Sequence, residues 1–477
     1  MNLALSLVYA AERDPEREAL VDGDARLTYR SVREGAARIA TSLEQLGLTR
    51  GERLAAVLRN RHETVALYWA TQWLGATFVP LSWRATQHEL DYCIEDCGAR
   101  VLAREDDGAV RVGEALFADL LDAAEHPGAL DVADDAESLM LYTSGTTGKP
   151  KGVPRSHRAD RAGGLSQVIH HGLEYGDRTL GVMPLYHTMG MHSLLAMSLV
   201  GGCLVLQPRW DPRQALDLIE RERLTALYLA PTLYHDLVTE VSGSEPQSRT
   251  ARNLSSVRSL AYAGAAMTSS LVERCVEVFR PRTFVNHYGS TEIYTFSIHR
   301  DQAAKPGCAG RPALNAQLRL GESDEIECHL GSDEAFRGYW NRPDADEKAI
   351  RDGWYRTGDV GHVDEDGDLW VVGRVDDMIV SGGENVHPLQ VEDVLARHPG
   401  VEEVAVIGAP DDRLGHRVVA VVVGTATEKE LDAHCLGSET LSRFKRPREY
   451  RFVEALPKSP SGKILRRVLR EEEGVRA

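Results

Sequence analysis

The densest cluster of phosphate-binding residue types lies in the ten positions from Thr143 to Gly152. Four hydroxyl residues, three glycines and two lysines fall within them. Glycines let backbone N–H groups approach an anion closely, hydroxyls donate to phosphate oxygens, and lysines supply countercharge. The cluster therefore predicts a phosphate-binding loop. Its predicted contact residues are Thr143, Ser144, Gly145, Thr146, Thr147, Gly148, Lys149 and Lys151.

The spacing within this loop separates it from two common nucleotide-binding patterns. A Walker loop has four residues between its glycines, whereas Gly145 and Gly148 enclose two, and Pro150 stands where that pattern needs Ser or Thr. The G-x-G-x-x-G pattern does not occur in the chain. The alternative is a flexible surface loop. An apolar, strand-like run over Leu139 to Tyr142 leads directly into the loop and favours the phosphate site.

The sequence YTSGTTGKPKG at positions 142–152 resembles the phosphate loop of the adenylate-forming superfamily, which includes acyl-CoA ligases, luciferases and peptide-synthetase adenylation domains. The sequence NHYGSTE at positions 286–292 resembles the family's adenine and metal segment. By itself it would be interpreted as a strand-end turn with a surface glutamate. The resemblance implies that Tyr288 stacks on adenine, Thr291 meets the α-phosphate and Glu292 helps to hold Mg²⁺. The segment contributes Asn286, His287, Tyr288, Gly289, Ser290 and Thr291 to the predicted nucleotide site.

Two further segments complete the implied nucleotide site. The sequences YRTGD at 355–359 and Gly373-Arg374 resemble the family's ribose-binding pair, with Asp359 accepting from ribose hydroxyls and Arg374 reaching ribose or phosphate. The sequence YAGAA at 262–266 resembles the segment between the nucleotide and the acyl pocket, where small residues allow close approach. It adds Gly264, Ala265 and Ala266 to the nucleotide contacts.

The sequence LPKSPSGKIL at positions 456–465 resembles the family's terminal loop, whose lysine matches Lys463. In isolation this lysine would be interpreted as a solvated loop tip. With the other motifs in order along the chain, the resemblance implies a catalytic role in adenylation. The catalytic residues implied for the whole chain are Lys463, His187, Glu292 and Thr143.

A nucleotide site for adenylation does not by itself define which molecule accepts the acyl group. The sequence FKRPR at 444–448 places three cations in four positions, and it resembles the CoA phosphate-binding segment of aryl-CoA ligases, including chlorobenzoate ligases; a solvated basic loop is the alternative. The sequence VDDMIVSGGENVHP at 375–388 resembles the ligases' hinge and pantetheine segment. The implied CoA contacts are Ser381, Gly382, Gly383, Arg446, Arg448 and Arg84, and the implied hinge is Asp376.

The acyl site is implied by PLYH at 184–187, in which His187 matches the residue that borders the substrate carboxylate and the thiol channel. A histidine in an apolar stretch is otherwise a satisfied core residue. Bulky side chains near the small residues at 263–265 favour a flat, short acid over a long fatty chain. The predicted walls are His187, Met191, His192, Tyr262, Ala263, Gly264, His287, Gly289 and Tyr294.

Elements that position these residues alternate along the chain. Apolar runs such as Ala226 to Leu229 predict strands, and amphipathic segments such as Asp211 to Glu222 predict helices, which indicates an α/β fold with a largely parallel sheet. Strands are also predicted over Val401 to Ile407 and Val418 to Val423, separated by a polar loop at 410–413, in a smaller α+β module. The hinge match divides the chain into a large N-terminal domain of layered sheets and helices, residues 1–375, and a small mobile C-terminal domain, residues 376–477.

Bulk properties narrow the function further. The net charge of −17 over 477 residues argues against a nucleic-acid-binding surface. Seven scattered cysteines predict a reduced, cytoplasmic protein with buried thiols and no structural zinc. The apolar start at Met1 is predicted to be a helix and not a signal peptide, and the uncharged stretch from Leu180 to Leu206 is predicted to be strand, loop, helix, turn and strand. A homodimer is one assembly open to the chain.

These observations predict an ATP-dependent acyl-CoA ligase that uses Mg²⁺, forms an acyl adenylate from an aromatic or other compact carboxylic acid, and then forms the CoA thioester. Alternatives are an adenylation enzyme that loads a carrier protein, a medium-chain fatty acyl-CoA ligase, and a non-catalytic homologue. The acid itself is not defined by the sequence.

Overall fold

The computed structural model describes residues 1–143, 149–243, 252–459 and 462–472. Within them, helices recur between strands along most of the chain, as the alternating pattern predicts. The helices are α1 (Ala4–Arg13), α2 (Tyr29–Gln45), α3 (His62–Trp73), α4 (Gln87–Cys97), α5 (His157–His171), α6 (Thr188–Leu199), α7 (Pro212–Arg221), α8 (Pro231–Gly243), α9 (Ser269–Phe279), α10 (Pro343–Ala349), α11 (Pro388–Leu395), α12 (Glu428–Gly437) and α13 (Arg466–Glu472).

Two large sheets build the part of the chain before residue 313. The nine-stranded sheet has the order β16-β15-β14-β13-β12-β10-β11-β1-β2, and the seven-stranded sheet the order β7-β6-β5-β3-β4-β8-β9. Their strands are β1 (Glu18–Asp22), β2 (Ala25–Thr28), β3 (Arg53–Val57), β4 (Thr77–Leu81), β5 (Val101–Asp106), β6 (Ala109–Val112), β7 (Ala115–Leu116), β8 (Glu137–Thr143), β9 (Lys151–Ser156), β10 (Arg178–Gly181), β11 (Cys203–Leu206), β12 (Ala226–Leu229), β13 (Ser259–Tyr262), β14 (Thr283–Tyr288), β15 (Ser297–His299) and β16 (Arg311–Pro312).

Two five-stranded sheets follow. One has the order β17-β18-β20-β19 with β21 on β20, and the other has β23-β22-β25-β24 with β26 on β25. Their strands are β17 (Leu318–Leu320), β18 (Glu325–His329), β19 (Ile350–Arg351), β20 (Trp354–Val363), β21 (Leu369–Arg374), β22 (Ile379–Ser381), β23 (Glu384–Val386), β24 (Val401–Asp411), β25 (Gly415–Gly424) and β26 (Glu449–Phe452). The chain passes between these sheets at a short 3₁₀ turn, Val375–Asp377.

Parallel pairing is confined mainly to the middle of the two large sheets. Strands β10 to β14 and β3, β4, β5 and β8 pair in parallel, whereas β2, β6, β9, β15 and β16 pair antiparallel at the margins. The prediction of a largely parallel sheet therefore holds at the centres only. Short connections at the margins allow hairpins, and hairpins require antiparallel neighbours.

Local sequence accounts for several helix starts. The side chain of Asp211 accepts from the Gln214 N–H and Pro212 occupies the first helical turn, so α7 begins where capping preference places it. Apolar positions of α7, including Leu216 and Ile219, are buried against the nine-stranded sheet. The predictions for α7, for β12 and for the N-terminal helix α1 are confirmed.

The stretch from Leu180 to Leu206 forms strand β10, a loop, helix α6, a turn and strand β11, as predicted. No helix of the described residues is long and apolar enough to cross a membrane. All seven cysteines are buried and free, which confirms the prediction of structural thiols.

The predicted loop at 410–413 in the C-terminal module is wrong in its extent. Strand β24 continues to Asp411, which pairs with Gly415 of β25. The Asp411 carboxylate accepts from the N–H groups of Arg413 and Leu414, so a turn of three residues closes the hairpin. The polar residues indicated a turn, but the hydrogen bonds of the Asp411 side chain determine where the pairing of β24 with β25 ends.

Candidate active site

The predicted phosphate loop joins two paired strands. Thr143 at the end of β8 pairs with Lys151 at the start of β9, so the loop leaves and re-enters the same antiparallel ladder. Positions 144–148 lie outside the described residues. The ammonium of Lys149 lies 5.5 Å from the ring centre of Tyr92, on the exposed side of the loop.

Lys151 connects this loop to the predicted metal-binding glutamate through an aromatic ring. Its ammonium lies 4.1 Å from the ring centre of Tyr339, and the Tyr339 hydroxyl donates to Glu292 Oε1 at 2.7 Å. Burial lowers the pKa of Lys151, and Glu292 opposes this shift. A buried carboxylate beside a lysine, with one oxygen already fixed, is suited to holding a hard cation next to phosphate.

The predicted ribose pair is assembled with the predicted adenine residue. Asp359 and Arg374 lie opposite each other on β20 and β21, and Arg374 donates to Asp359 Oδ1 at 2.9 Å. The hydroxyl of Tyr288 donates to Asp359 Oδ2 at 2.6 Å. Two donors from separate segments thus hold the Asp359 carboxylate, one on each oxygen, which fixes its orientation.

Lys463 reaches this cluster from the far end of the chain. Two hydrogen bonds join Lys463 to Ser459. The Ser459 N–H donates to the Lys463 carbonyl at 2.7 Å, and the Lys463 N–H donates to Ser459 Oγ at 3.0 Å. A Cβ added to Gly264 would lie 3.4 Å from Lys463 Cε. Part of the Lys463 residue is exposed to solvent, yet burial lowers the pKa of its ammonium, and Asp359 opposes the shift.

His187 stands at the N-terminus of α6, next to the same lysine. Its Nδ1 accepts from the Met189 N–H at 3.4 Å. The residue is half-buried, and burial followed by the charge of Lys463 lowers the pKa of His187 to about 3. It is therefore neutral at physiological pH.

The predicted acyl walls divide into two groups. Met189, not the predicted Met191, lies on the side of α6 that faces Gly264, because a Cβ on Gly264 would stand 3.9 Å from Met189 Sδ. Met191 packs in the other hydrophobic cluster with Leu185 and Leu194. Helical geometry explains this, since residues two positions apart point in different directions.

The remaining walls form a buried aromatic group. His192 stacks on Tyr294 with ring centres 3.5 Å apart, and His287 lies 4.6 Å from Tyr294. Burial lowers the pKa of His287 to about 3. The Tyr262 hydroxyl donates to Gln302 at 2.8 Å and its ring packs on Phe284, so Tyr262 supports the sheet beside the site.

Two models of known protein families match the chain, one after the other. A family model described as AMP-binding enzyme matches residues 7–340, and a model described as AMP-binding enzyme C-terminal domain matches residues 390–463. The chain belongs to the AMP-binding enzyme family. The predicted fold class and the predicted enzyme class, a carboxylic acid–CoA ligase of the adenylate-forming superfamily, are thereby confirmed.

Curated relatives of this AMP-binding enzyme are CoA ligases. It is 35% identical over 492 residues to a feruloyl-CoA synthase from Amycolatopsis sp, covering 98% of each chain. It is 34% identical over 514 residues to a 4-chlorobenzoate–CoA ligase from Arthrobacter sp, covering 100% of this chain and 96% of the relative. A long-chain-fatty-acid–CoA ligase from Mycobacterium tuberculosis is 31% identical over 505 residues, with coverage of 99% and 98%.

Solved structures of related enzymes with bound nucleotides also superimpose on this chain. An anthranilate CoA ligase in complex with anthranoyl-AMP superimposes with a TM-score of 0.91 at 27% identity, covering 99% of this chain and 97% of that chain. An o-succinylbenzoate CoA synthetase from Bacillus subtilis in complex with ATP and magnesium ion gives a TM-score of 0.82 at 28% identity, covering 97% and 98%.

The predicted CoA residues of the AMP-binding enzyme lie on separate surfaces. Gly382 and Gly383 form an exposed two-residue turn between β22 and β23, both with positive φ, and a Cβ on Gly383 would meet no atom within 4 Å. Ser381 ends β22 just before this turn. Arg446 donates to Asp432, and Arg448 is exposed.

Arg84 lies beside a tryptophan that gathers three guanidinium groups. The guanidinium carbons of Arg84, Arg59 and Arg209 lie 4.8, 5.0 and 5.7 Å from the ring centre of Trp83. An acidic enzyme thus presents a local basic and aromatic surface, which suits a nucleotide's phosphates and base.

This surface borders a cleft of about 290 Å³ at the terminal loop. Residues from the N-terminal and the C-terminal parts of the chain face each other across it. They include Trp83, Arg84, Tyr186, Trp210, Lys458 and Gly462.

Two residues that sequence reasoning missed support the nucleotide site. Tyr339 orients Glu292, as described above. Arg155, which is buried, donates to the Thr291 carbonyl at 2.8 Å and to Asp160 Oδ1 at 2.6 Å. It thereby ties strand β9 to the Thr291–Glu292 segment. The polar sequence PRSHRAD at 154–160 contains two arginines, and nothing in it marks Arg155 as the one that makes such a contact.

Proposed function

We propose that this enzyme activates an aromatic or other compact carboxylic acid in two half-reactions at one site. The acid's carboxylate attacks the α-phosphorus of ATP, and the bond to pyrophosphate breaks to give an acyl adenylate. The CoA thiol, having lost its proton, then attacks the acyl carbon, and AMP leaves with the pair of electrons of the broken C–O bond. The names of the feruloyl-CoA synthase, the 4-chlorobenzoate–CoA ligase and the anthranilate CoA ligase support this class of substrate, whereas that of the long-chain-fatty-acid–CoA ligase does not.

The observation that carries the proposal is the position of Lys463 in the nucleotide cluster. Its Cε lies 3.4 Å from a Cβ placed on Gly264, and its ammonium experiences the charges of Asp359 and Glu292. A cation there neutralises charge that develops on the transferring phosphoryl oxygens. The same arrangement leaves the Gly382-Gly383 turn exposed, which supports our assignment of this arrangement to the adenylation step.

Residues of the chain have defined tasks in this proposal. Asp359, held by Tyr288 and Arg374, binds the ribose hydroxyls, and the loop from Thr143 to Lys151 holds the departing pyrophosphate. Glu292 would hold Mg²⁺, which supplies charge neutralisation at the phosphates when bound. Neutral His187 borders the acyl carboxylate without adding a charge that would compete with Lys463.

Thioester formation then requires a second arrangement. We propose that the C-terminal module, residues 376–477, turns about Asp376, withdraws Lys463 and brings the Gly382-Gly383 turn to His187. The pantetheine arm lies along that turn, and Arg84, Arg446 and Arg448 bind the CoA phosphates. We further propose a cytoplasmic location; a homodimer remains one prediction for the assembly.

The test is AMP release with benzoate, 4-hydroxybenzoate, cinnamate, cyclohexanecarboxylate and octanoate, each with and without CoA. We expect CoA-dependent AMP release with a cyclic acid and formation of its CoA thioester. Turnover of octanoate alone would favour a medium-chain fatty acyl-CoA ligase. Acyl adenylate formation without CoA consumption, for every acid, would contradict the proposal and favour a carrier-loading enzyme.

A further inference from the structure

Helix α9 begins without a side-chain cap of its own. Thr268 occupies the capping position in an extended conformation, but its side chain makes no capping hydrogen bond to the helix. The first N–H groups of a helix have no partner within it and carry the positive end of the helix dipole. An acceptor from elsewhere is therefore needed.

That acceptor is Asp393, on α11 of the C-terminal module. Its Oδ1 accepts from the Ser269 N–H and from Ser269 Oγ, each at 3.1 Å. Arg397 donates to Asp393 Oδ2 at 3.0 Å, and Ser270 Oγ donates to the Ala396 carbonyl at 3.3 Å. A carboxylate from one module thus caps a helix of the other.

The capped end of α9 lies close in sequence to the active site. Strand β13 ends at Tyr262, and Gly264 to Ala266 lead to the start of α9 at Ser269. Asp393 and Lys463 belong to the same module, and they contact the two ends of this short connection. A contact that fixes the module at α9 therefore also fixes where Lys463 stands.

We infer that Asp393 is a positioning residue for adenylation, which caps α9 and holds the C-terminal module with Lys463 in the nucleotide site. This inference rests on the proposed function, because it assigns the contact to one of two arrangements. The contact is made during acyl adenylate formation and is broken when the module turns for thioester formation.

The test measures the half-reactions separately in Asp393→Ala. Adenylation is followed by pyrophosphate–ATP exchange with the acid of the panel that the wild type activates fastest, and thioester formation by mixing preformed acyl adenylate with CoA. We expect a roughly 3- to 30-fold slower adenylation, the range that loss of a helix cap corresponds to. Thioester formation should stay within about twofold of wild type.

Asp393→Asn separates positioning from folding. Asparagine keeps the Oδ1 acceptor and caps helices well, so we expect adenylation to recover to within about threefold of wild type. Glu402→Ala removes an exposed acidic residue from the same module and serves as the matched control, with both half-reactions unchanged. Thermal unfolding of each variant shows whether the fold is intact.

Equal slowing of both half-reactions in Asp393→Ala would overturn the inference, as would unchanged adenylation in a folded variant. If Asp393→Ala fails to fold, folded Asp393→Asn provides the test. Adenylation slowed there by the roughly 3- to 30-fold expected for loss of the cap would also overturn the inference. Failure of the proposed function is distinguishable, because the wild type itself would then form no CoA thioester.

Discussion

The nucleotide side and the CoA side of this enzyme differ in how far they are assembled. Tyr288, Asp359 and Arg374 share direct hydrogen bonds, and Lys463 stands beside them. The Gly382-Gly383 turn, in contrast, is exposed, and a Cβ on Gly383 would meet no atom within 4 Å. Among the described residues, the nucleotide side is assembled and the CoA side is not, which supports the proposed rearrangement between the two steps.

The largest effect should come from Lys463→Ala. We expect adenylation to fall about 10²- to 10³-fold, because one charge that stabilises the transition state is lost. Thioester formation from preformed acyl adenylate should change little. Lys429→Ala, at an exposed lysine of the C-terminal module, is the matched control. Equal losses in both half-reactions would contradict the claim that Lys463 acts in adenylation and not in thioester formation.

Arg84→Ala should act on the CoA side alone. We expect the KM for CoA to rise about three- to tenfold, more at low ionic strength, because a partly exposed phosphate contact is lost. The KM for ATP should not change. Exposed Arg351 of β19 gives the control substitution, Arg351→Ala. A rise in the KM for ATP as large as that for CoA would contradict the assignment of Arg84 to the CoA side.

The pH dependence should be the smallest effect. Lysine is charged below its pKa, and burial lowers the pKa of Lys463, so adenylation should decline on the alkaline side at a lower pH than 10.5, the value of an ordinary lysine. Lys463→Arg should abolish this alkaline decline. Because the pKa of His187 is about 3, no inflection near 6.5 should arise from that residue. A wild-type profile that lacks the alkaline decline would contradict this account of Lys463.

Sequence reasoning reached the elements and the motifs but not the contacts between them. The apolar run of β12 and the capped, amphipathic α7 carry local signals, so both were predictable. Tyr339 contacts Glu292 from 47 positions away, and no local pattern marks that pair. Met191 was predicted as a wall and Met189 was not, because the resemblance gave the segment and not the direction in which each side chain of α6 points.

The central claim is that Lys463 must leave the site before the thioester forms. The Cβ of Thr232 lies 3.5 Å from a Cβ placed on Gly462, within the range of a disulfide, so the double variant Thr232→Cys/Gly462→Cys can lock the terminal loop. Gly462 has a φ of +83°, which strains a cysteine there, so the reduced double variant is the reference for the oxidised one. The wild type, whose native thiols are buried, and both single variants serve as controls for the effect of the oxidant. We predict that the oxidised double variant forms acyl adenylate but no CoA thioester, and that reduction restores the second step. Thioester formation at the same rate in the oxidised and reduced protein would contradict the account.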